Sequence, residues 1–310
     1  MGKALAEQYP SARRTFDEAD DAFAVAADPS AVVAASRRLS TRCFEGPADD
    51  LQLTEITQPA ILTTSVAACR VLNEEGVRPA FVAGHSLGEY SAHVAAGTFG
   101  FGDAVGLVRR RGRYMQEAVP VGTGAMAAIL GADLAIILQA CEESAQGEIV
   151  SPANINCPGQ IVIAGHATAV QRATERLKAL GVRRTVALPV SAPFHCALMK
   201  PAELRLEPVL RSLATATPSV PVVANVDAEP KRDSQSSIDA LVRQVSSPVR
   251  WEDVVRRLAS EGVTTYVEVG PGTVLSGLVK KIQPDARVLT FGSPESLGAV
   301  VAACSISAEK

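Results

Sequence analysis

Apolar positions along this chain alternate between helical and strand-like spacing. Residues 3–24 place them at helical intervals among many charges, which predicts an amphipathic helix. Ala31 to Arg42 reads as a helix or a connector, and as part of a longer surface connection from Asp21. Gly46-Pro47-Ala48-Asp49-Asp50 is a turn with an aspartate available as a cap. Gln58-Pro59 opens a long apolar helix to about Leu72, with Pro59 near its first turn, and Gly76 ends it. A short apolar run at Phe81 reads as a strand, and a small-residue helix follows Ser86. Gly102-Asp103 caps a helix from Ala104 to Ala118, which Pro120 and Gly122 break.

The next section changes character. Ala125–Leu130 reads as a strand, Leu134–Ala145 as a helix, Ile149–Asn154 and Gln160–Ala164 as strands joined at Cys157-Pro158-Gly159, Ala167–Leu180 as a helix and Val182–Leu188 as a strand. That β-α-β-β-α-β order is the ferredoxin-like arrangement. It predicts a small subdomain, residues 123–189, inserted into an α/β body formed by 1–122 and 190–310, because strand–helix alternation resumes afterwards. The later elements are a helix at Ala197–Leu213, a strand at Val220–Val226, helices at Ile238–Val245 and Trp251–Glu261, a strand at Thr264–Val269, a helix at Val274–Ile282 and a strand at Arg287–Phe291.

Composition narrows the possibilities. The 310 residues are 47% hydrophobic and carry a formal net charge of −3, so nothing argues for nucleic acid or an anionic membrane. No apolar run reaches the roughly 20 residues a bilayer span needs. The polar N-terminus, Met-Gly-Lys-Ala-Leu-Ala-Glu-Gln, does not read as a signal peptide. Cys43, Cys69, Cys141, Cys157, Cys196 and Cys304 lack a CxxC pair and read as reduced thiols of a cytoplasmic protein. No spacing of His, Cys, Asp and Glu resembles a metal site.

The chemistry concentrates at Phe81-Val82-Ala83-Gly84-His85-Ser86-Leu87-Gly88-Glu89-Tyr90. An apolar strand meets Gly-x-Ser-x-Gly and a helix follows, which is the pattern of a nucleophile elbow; a Gly-rich turn with a capping serine has the same letters. A side chain at Gly84 or Gly88 is expected to crowd the turn. Ser86 would stand at a helix N-terminus, where free N–H groups favour developing negative charge, and the Leu87 N–H is a natural oxyanion donor.

A serine nucleophile needs a base. His85 should project away from Ser86. His93 falls two helical turns on, in core or on the surface. His166 lies at a helix entry. His195 lies on the proline-bounded loop Pro189-Val190-Ser191-Ala192-Pro193-Phe194-His195, as a base or as a helix cap. No aspartate stands out to orient it: Asp227 and Asp239 sit in polar connections, and a backbone carbonyl or an amide could serve instead. In the run Arg109-Arg110-Arg111-Gly112-Arg113, Arg109, Arg110 and Arg113 read as a solvated helix face. Gly112 would let a ligand or backbone approach beside Arg111, whose guanidinium could bind a carboxylate through two parallel bonds or belong to the same solvated face.

Gly84-His85-Ser86-Leu87-Gly88-Glu89-Tyr90, the later Arg111-Gly112, Asn154-Ile155-Asn156-Cys157-Pro158-Gly159-Gln160, Ala192-Pro193-Phe194-His195 and Val267-Glu268-Val269-Gly270-Pro271-Gly272 stand in one order. With them the sequence resembles malonyl-CoA:acyl carrier protein transacylases, from about Met1 to Phe291. The resemblance implies a hydrolase-like parallel-sheet α/β body with a ferredoxin-like subdomain. It also implies transfer of malonyl from malonyl-CoA to the phosphopantetheine thiol of acyl carrier protein, in fatty-acid synthesis, by a monomer without cofactor. Ser86 matches the nucleophile, His195 the general acid/base and Arg111 the holder of the malonyl carboxylate. Asn154 and Gln244 match amides near the site, and a backbone carbonyl near Gln244 is expected to orient the histidine. Phe194 matches the malonyl-selective pattern, against methylmalonyl.

Members of that family begin with an apolar strand and a Gly-Gln-Gly-Ser-Gln loop, whose first glutamine supplies a second oxyanion N–H. Met1-Gly2 falls where the following helix begins, so strand and donor are expected to be absent, and Gln8, inside the helix, is no substitute. Loss of one such donor costs on the order of 10²–10³ in rate, and loss of a central strand exposes sheet edges. The competing expectations are an α/β-hydrolase or thioesterase, and a non-catalytic carrier-binding remnant whose Arg109, Arg110 and Arg113 meet an acidic carrier.

Overall fold

The computed structural model describes residues 1–25, 37–190 and 192–305. Two helices, α1 (Lys3–Gln8) and α2 (Pro10–Val25), stand where the spacing predicts one. Pro10 divides them: its ring disfavours helical geometry in the residue before it, and Tyr9 is extended at φ −118°, ψ 121°. Of the surface connection expected from Asp21 to Arg42, residues 26–36 fall outside the described residues; its start is the end of α2, with Phe23 buried, and its end enters α3 (Leu39–Glu45), with Leu39 and Arg42 buried, so these two parts pack in the core and are not surface. Next comes α4 (Thr54–Glu74), which begins before Gln58, so Pro59 lies inside it. Its N-cap is Leu53, not an aspartate, and Asp50 instead pairs with Arg42 Nη1 at 3.0 Å.

The elbow follows as β1 (Val82–Ala83) and α5 (Leu87–Ala95), then α6 (Phe101–Glu117). Buried faces of α1, α2, α4, α5 and α6 form the largest core, with Phe16, Leu62, Tyr90, Leu107 and Met115 inside it. One expectation about α6 fails. Arg109 is buried, donates to the Phe23 carbonyl at 2.7 Å and lies 4.0 Å over the Phe23 ring. The reason is that α6 is flanked by α2 and α4 and presents only Arg110 of the triplet to solvent.

The middle elements appear in the expected order: β2 (Gly124–Leu130), α7 (Leu134–Ala145), β3 (Val150–Cys157), β4 (Gln160–His166), α8 (Ala167–Ala179) and β5 (Arg184–Ala187). The strands pair antiparallel in the order β3-β4-β2-β5. One face packs on α7 and α8 through Ile129, Ile137, Ile163 and Leu177. The other face, through Met126, Ala153, Val162 and Ala164, packs on Cys196 and Leu198, and so anchors the loop that carries His195.

A 3-10 turn at Ala197–Met199 leads into α9 (Lys200–Arg211), β6 (Val222–Val223), β7 (Pro230–Lys231), α10 (Ser234–Gln244), α11 (Trp251–Ser260), β8 (Thr265–Val269), α12 (Val274–Ile282), β9 (Arg287–Phe291) and α13 (Leu297–Ser305). Helix α10 starts earlier than its apolar pattern because Asp233 caps it, accepting from the Ser236 N–H at 2.8 Å. Strand β7 and helix α13 are not anticipated by the sequence. β1 pairs parallel with β6, which pairs antiparallel with β7, and β8 pairs parallel with β9. Two bonds at 2.9 Å, Ile155 N–H to Val249 O and Val249 N–H to Ala153 O, tie β3 to the segment after α10. Among the described residues no helix is long and apolar enough to cross a membrane, and no cluster of His, Cys, Asp and Glu could hold a metal ion.

Candidate active site

The elbow is as tight as its glycines imply, but only one of them is needed for space. A Cβ on Gly84 would stand 2.0 Å from the Gly88 carbonyl carbon and oxygen, whereas a Cβ on Gly88 would meet nothing within 4 Å. The expectation of crowding at Gly88 is therefore wrong: there the backbone is approached by Gly84, and the position of its own Cβ is open. Ser86 sits at φ 52°, ψ −106°, outside the ordinary regions for a residue with a side chain. Its hydroxyl is thereby released from capping α5. Leu87 is the first residue of α5, so its N–H is among those that a helix leaves without an intrahelical acceptor.

Ser86 Oγ lies 2.7 Å from His195 Nε2. His195 also has positive φ, 59°, and is 3% exposed. Burial first, and the Arg111 charge second, push its imidazole down to about 3, so the ring is neutral at physiological pH. Its Nδ1 lies 3.1 Å from the Gln244 carbonyl. A carbonyl can only accept, so Nδ1 carries the proton and Nε2 is free to take the serine's. The orienting group is a backbone carbonyl. Asp227 is occupied elsewhere by Lys231 and Arg243, and Asp239 by Arg211.

Arg111 is 1% exposed and enters the same space. Nη2 donates to Ser86 Oγ at 3.2 Å and to Gln244 Oε1 at 3.0 Å, Nη1 donates to Gln58 Oε1 at 2.8 Å, and the guanidinium carbon lies 5.0 Å over the Tyr90 ring. Its hydrogen-bond acceptors are all neutral, which leaves the cation able to receive an anion. Gly112 explains how the helix comes so close: its Cβ would fall 2.6 Å from the Thr54 carbonyl oxygen, so backbone, not ligand, is what approaches it.

The structure thus brings Ser86, Leu87, His195, Arg111 and Gln244 together. Asn154 is buried in β3, and no side-chain bond links it to them. It is Asn156 that reaches the elbow, through His85 Nε2 at 2.9 Å, with the His85 ring tilted against Trp251. His93 is core, bonded to Thr98 Oγ1 at 3.1 Å, and His166 is the N-cap residue of α8. Gln8 ends α1 and its amide reaches the Tyr9 hydroxyl.

Three participants escape the sequence reading: Gln58, Glu89 and Asn225. Asn225 Oδ1 accepts the Ser86 N–H at 2.7 Å, and its Nδ2 donates to the Gly84 carbonyl at 2.8 Å. Glu89 had one legible signal, its place in Ser-x-x-Glu, which reads as an ordinary capping box.

Arranged so, a hydroxyl, a neutral imidazole and a buried guanidinium can open an acyl bond whose acyl group bears a carboxylate. Comparison with known proteins agrees. Residues 1–299 match the model of the acyl transferase domain family. A malonyl CoA-acyl carrier protein transacylase of Bacillus subtilis is 47% identical over 298 residues, 96% of this chain and 90% of that protein. An acyl carrier protein S-malonyltransferase from Vibrio cholerae, solved by crystallography, is 46% identical with a TM-score of 0.91, covering 97% of this chain and 94% of that one. A malonyl-transacylase in complex with its type II PKS acyl-carrier protein is 44% identical, also with a TM-score of 0.91, covering 98% and 94%.

Proposed function

Because this chain belongs to the acyl transferase domain family, we propose that it moves malonyl from malonyl-CoA to the phosphopantetheine thiol of an acyl carrier protein, through a malonyl ester of Ser86. The observation that carries this reading is the convergence on one oxygen, Ser86 Oγ, of His195 Nε2 at 2.7 Å and Arg111 Nη2 at 3.2 Å. In the first half-reaction His195 Nε2 takes the serine proton while Oγ attacks the thioester carbon. The Leu87 N–H faces the developing oxyanion. The tetrahedral adduct collapses, the carbon–sulfur bond breaks, and the imidazolium returns its proton to the CoA sulfur. In the second half the carrier's thiol gives its proton to His195 and attacks the malonyl-serine ester, and Ser86 recovers the proton. Arg111 holds the malonyl carboxylate throughout, in two parallel bonds.

In the same reading, residues 123–189 are a ferredoxin-like subdomain, supported by the β3-β4-β2-β5 order with two helices on one face. Residues 1–122 and 190–310 are the hydrolase-like body, supported by the strand–turn–helix at Ser86. The free thiols of all six cysteines support a reducing, cytoplasmic setting.

The test is incubation with radiolabelled malonyl-CoA, with and without holo carrier. Wild-type protein should hold label covalently and pass it to the carrier, and Ser86→Ala should hold none. Undiminished labelling of Ser86→Ala would reject the nucleophile. Release of free malonate in place of malonyl-carrier would reject transfer in favour of hydrolysis.

A further inference from the structure

The proposed reaction leaves one buried carboxyl beneath the nucleophile without a task. Glu89 is the third residue of α5 and is fully buried. In a capping box its side chain would return to the Ser86 N–H, and the serine hydroxyl would cap the helix. Neither bond forms. The Ser86 N–H goes to Asn225 Oδ1, and the Ser86 carbonyl accepts from Gln244 Nε2 at 2.9 Å. Glu89 Oε2 in turn accepts from the Asn225 N–H at 2.9 Å and from the same Gln244 Nε2 at 2.8 Å. One carboxyl oxygen therefore holds both residues that grip the two ends of the serine's backbone.

Those two residues also set the rest of the site. Gln244 offers its carbonyl to His195 and its Oε1 to Arg111, and Asn225 ties down Gly84. The backbone at Ser86 needs such a hold, since a side chain in so sparsely populated a region is strained and persists only when its surroundings over-determine it. Both donors meet Oε2, an oxygen that accepts whether or not the other oxygen of the carboxyl carries a proton, which suits it to collect two N–H donors on one atom.

We propose, resting on the assignment of Ser86 as nucleophile, that Glu89 is the positioning residue of the acyl transfer: through Asn225 and Gln244 it keeps Ser86 in its strained geometry, with Oγ aimed at His195. It acts on the serine's placement and not on substrate binding.

The experiment is rapid-quench acylation by radiolabelled malonyl-CoA, in which burst amplitude counts competent serines and the rate constant reports how each is placed. Glu89→Asp keeps the carboxyl acceptor but withdraws it by one carbon–carbon bond. It should acylate about tenfold to 10²-fold more slowly at full amplitude, with KM for malonyl-CoA changed less than about threefold. Glu89→Gln still offers one oxygen to both donors and should stay within about fivefold of wild type. A Glu89→Asp variant whose competent serines react at the wild-type rate, with amplitude alone reduced, would show that the residue only supports the fold and would overturn the proposal. Phosphonylation of Ser86 by a fluorophosphonate, in which Oγ gives its proton to His195, bonds phosphorus and displaces fluoride, reads the same placement without malonyl. If the phosphonate ranks the variants as above while malonyl never labels the wild type, the substrate assignment fails and the positioning role stands. Equal phosphonylation rates in all three proteins would end it.

Discussion

Arg111 Nη2 donates to Ser86 Oγ across 3.2 Å, so the buried guanidinium and the half-buried hydroxyl are in direct contact. A carboxylate seated on that guanidinium lies within a few bonds' length of Oγ, which suits an acyl group whose carboxylate is one carbon beyond its carbonyl. Acetyl has nothing to offer the cation. Arg111→Ala should therefore lower kcat/KM for malonyl transfer about 10²-fold or more while leaving acetyl transfer equal or higher. Competing radiolabelled malonyl-CoA and acetyl-CoA gives the ratio directly, and an unchanged ratio would remove the clamp from the account.

The same substitution should move a pH profile. His195 titrates low because it is buried and because the Arg111 cation disfavours an imidazolium beside it. Removing that cation raises the imidazole toward its ordinary value, so protonation disables the base at a higher pH. With acetyl-CoA, which brings no carboxylate of its own, the acid limb of kcat/KM should lie at higher pH in Arg111→Ala than in wild type. Coincident limbs would mean that the guanidinium does not act on the base.

Gly84 and Gly88 look equivalent in Gly-x-Ser-x-Gly but should respond oppositely. A methyl on Gly84 meets the Gly88 carbonyl at 2.0 Å, backbone against backbone, with no side chain able to yield. Gly84→Ala should cost at least about 3 kcal/mol or prevent folding. Gly88→Ala meets open space in the first turn of α5 and should gain about 0.5–1 kcal/mol from helix propensity. Urea unfolding of the two variants decides it. A stable Gly84→Ala protein would show that the elbow is looser than described.

What the sequence discloses here follows the range of the interaction concerned. Helices α7 and α12 and strand β9 begin and end where periodicity and turn residues put them, since those signals are local. Ser86 and His195 are legible because elbow and proline-bounded loop are themselves local patterns. The arginine triplet is not: burial of Arg109 depends on Phe23 of α2, and placement of Arg111 on Gln58 of α4, and neither helix leaves a mark on α6. Glu89 and Asn225 are 136 residues apart and meet only because β1 pairs with β6, so no local pattern names their partnership. The capping-box spacing at Ser86 even points the wrong way. Propensity there gives way to a carboxyl and two amides that hold the serine in a conformation its own preferences oppose.

His93 makes a last prediction about stability. It is wholly buried on α5, its Nδ1 and the Thr98 hydroxyl share a bond of 3.1 Å, its ring lies against Phe99, and its Nε2 has no hydrogen-bond partner among the described residues. Burial pushes its imidazole from 6.5 down to about 3. The unfolded chain therefore takes up this proton first. The stability tied to the neutral ring is complete above about pH 6.5 and drains away as pH falls toward 3. Between pH 6.5 and 4.5 the loss from this one group approaches about 2–3 kcal/mol. His195 and His85 act in the same direction, whereas Glu89, raised by burial to about 7, acts in the other, because the folded state binds its proton more readily. A wild-type curve alone mixes these contributions. His93→Leu removes one and leaves the others, so the difference between the two curves isolates it. The variant should be less stable at pH 7, where it forfeits the bond to Thr98, yet lose about 2–3 kcal/mol less than wild type on acidification to pH 4.5. Urea midpoints at half-unit pH intervals supply both curves, and parallel curves would mean that His93 takes up its proton as readily in the folded protein as in the unfolded chain.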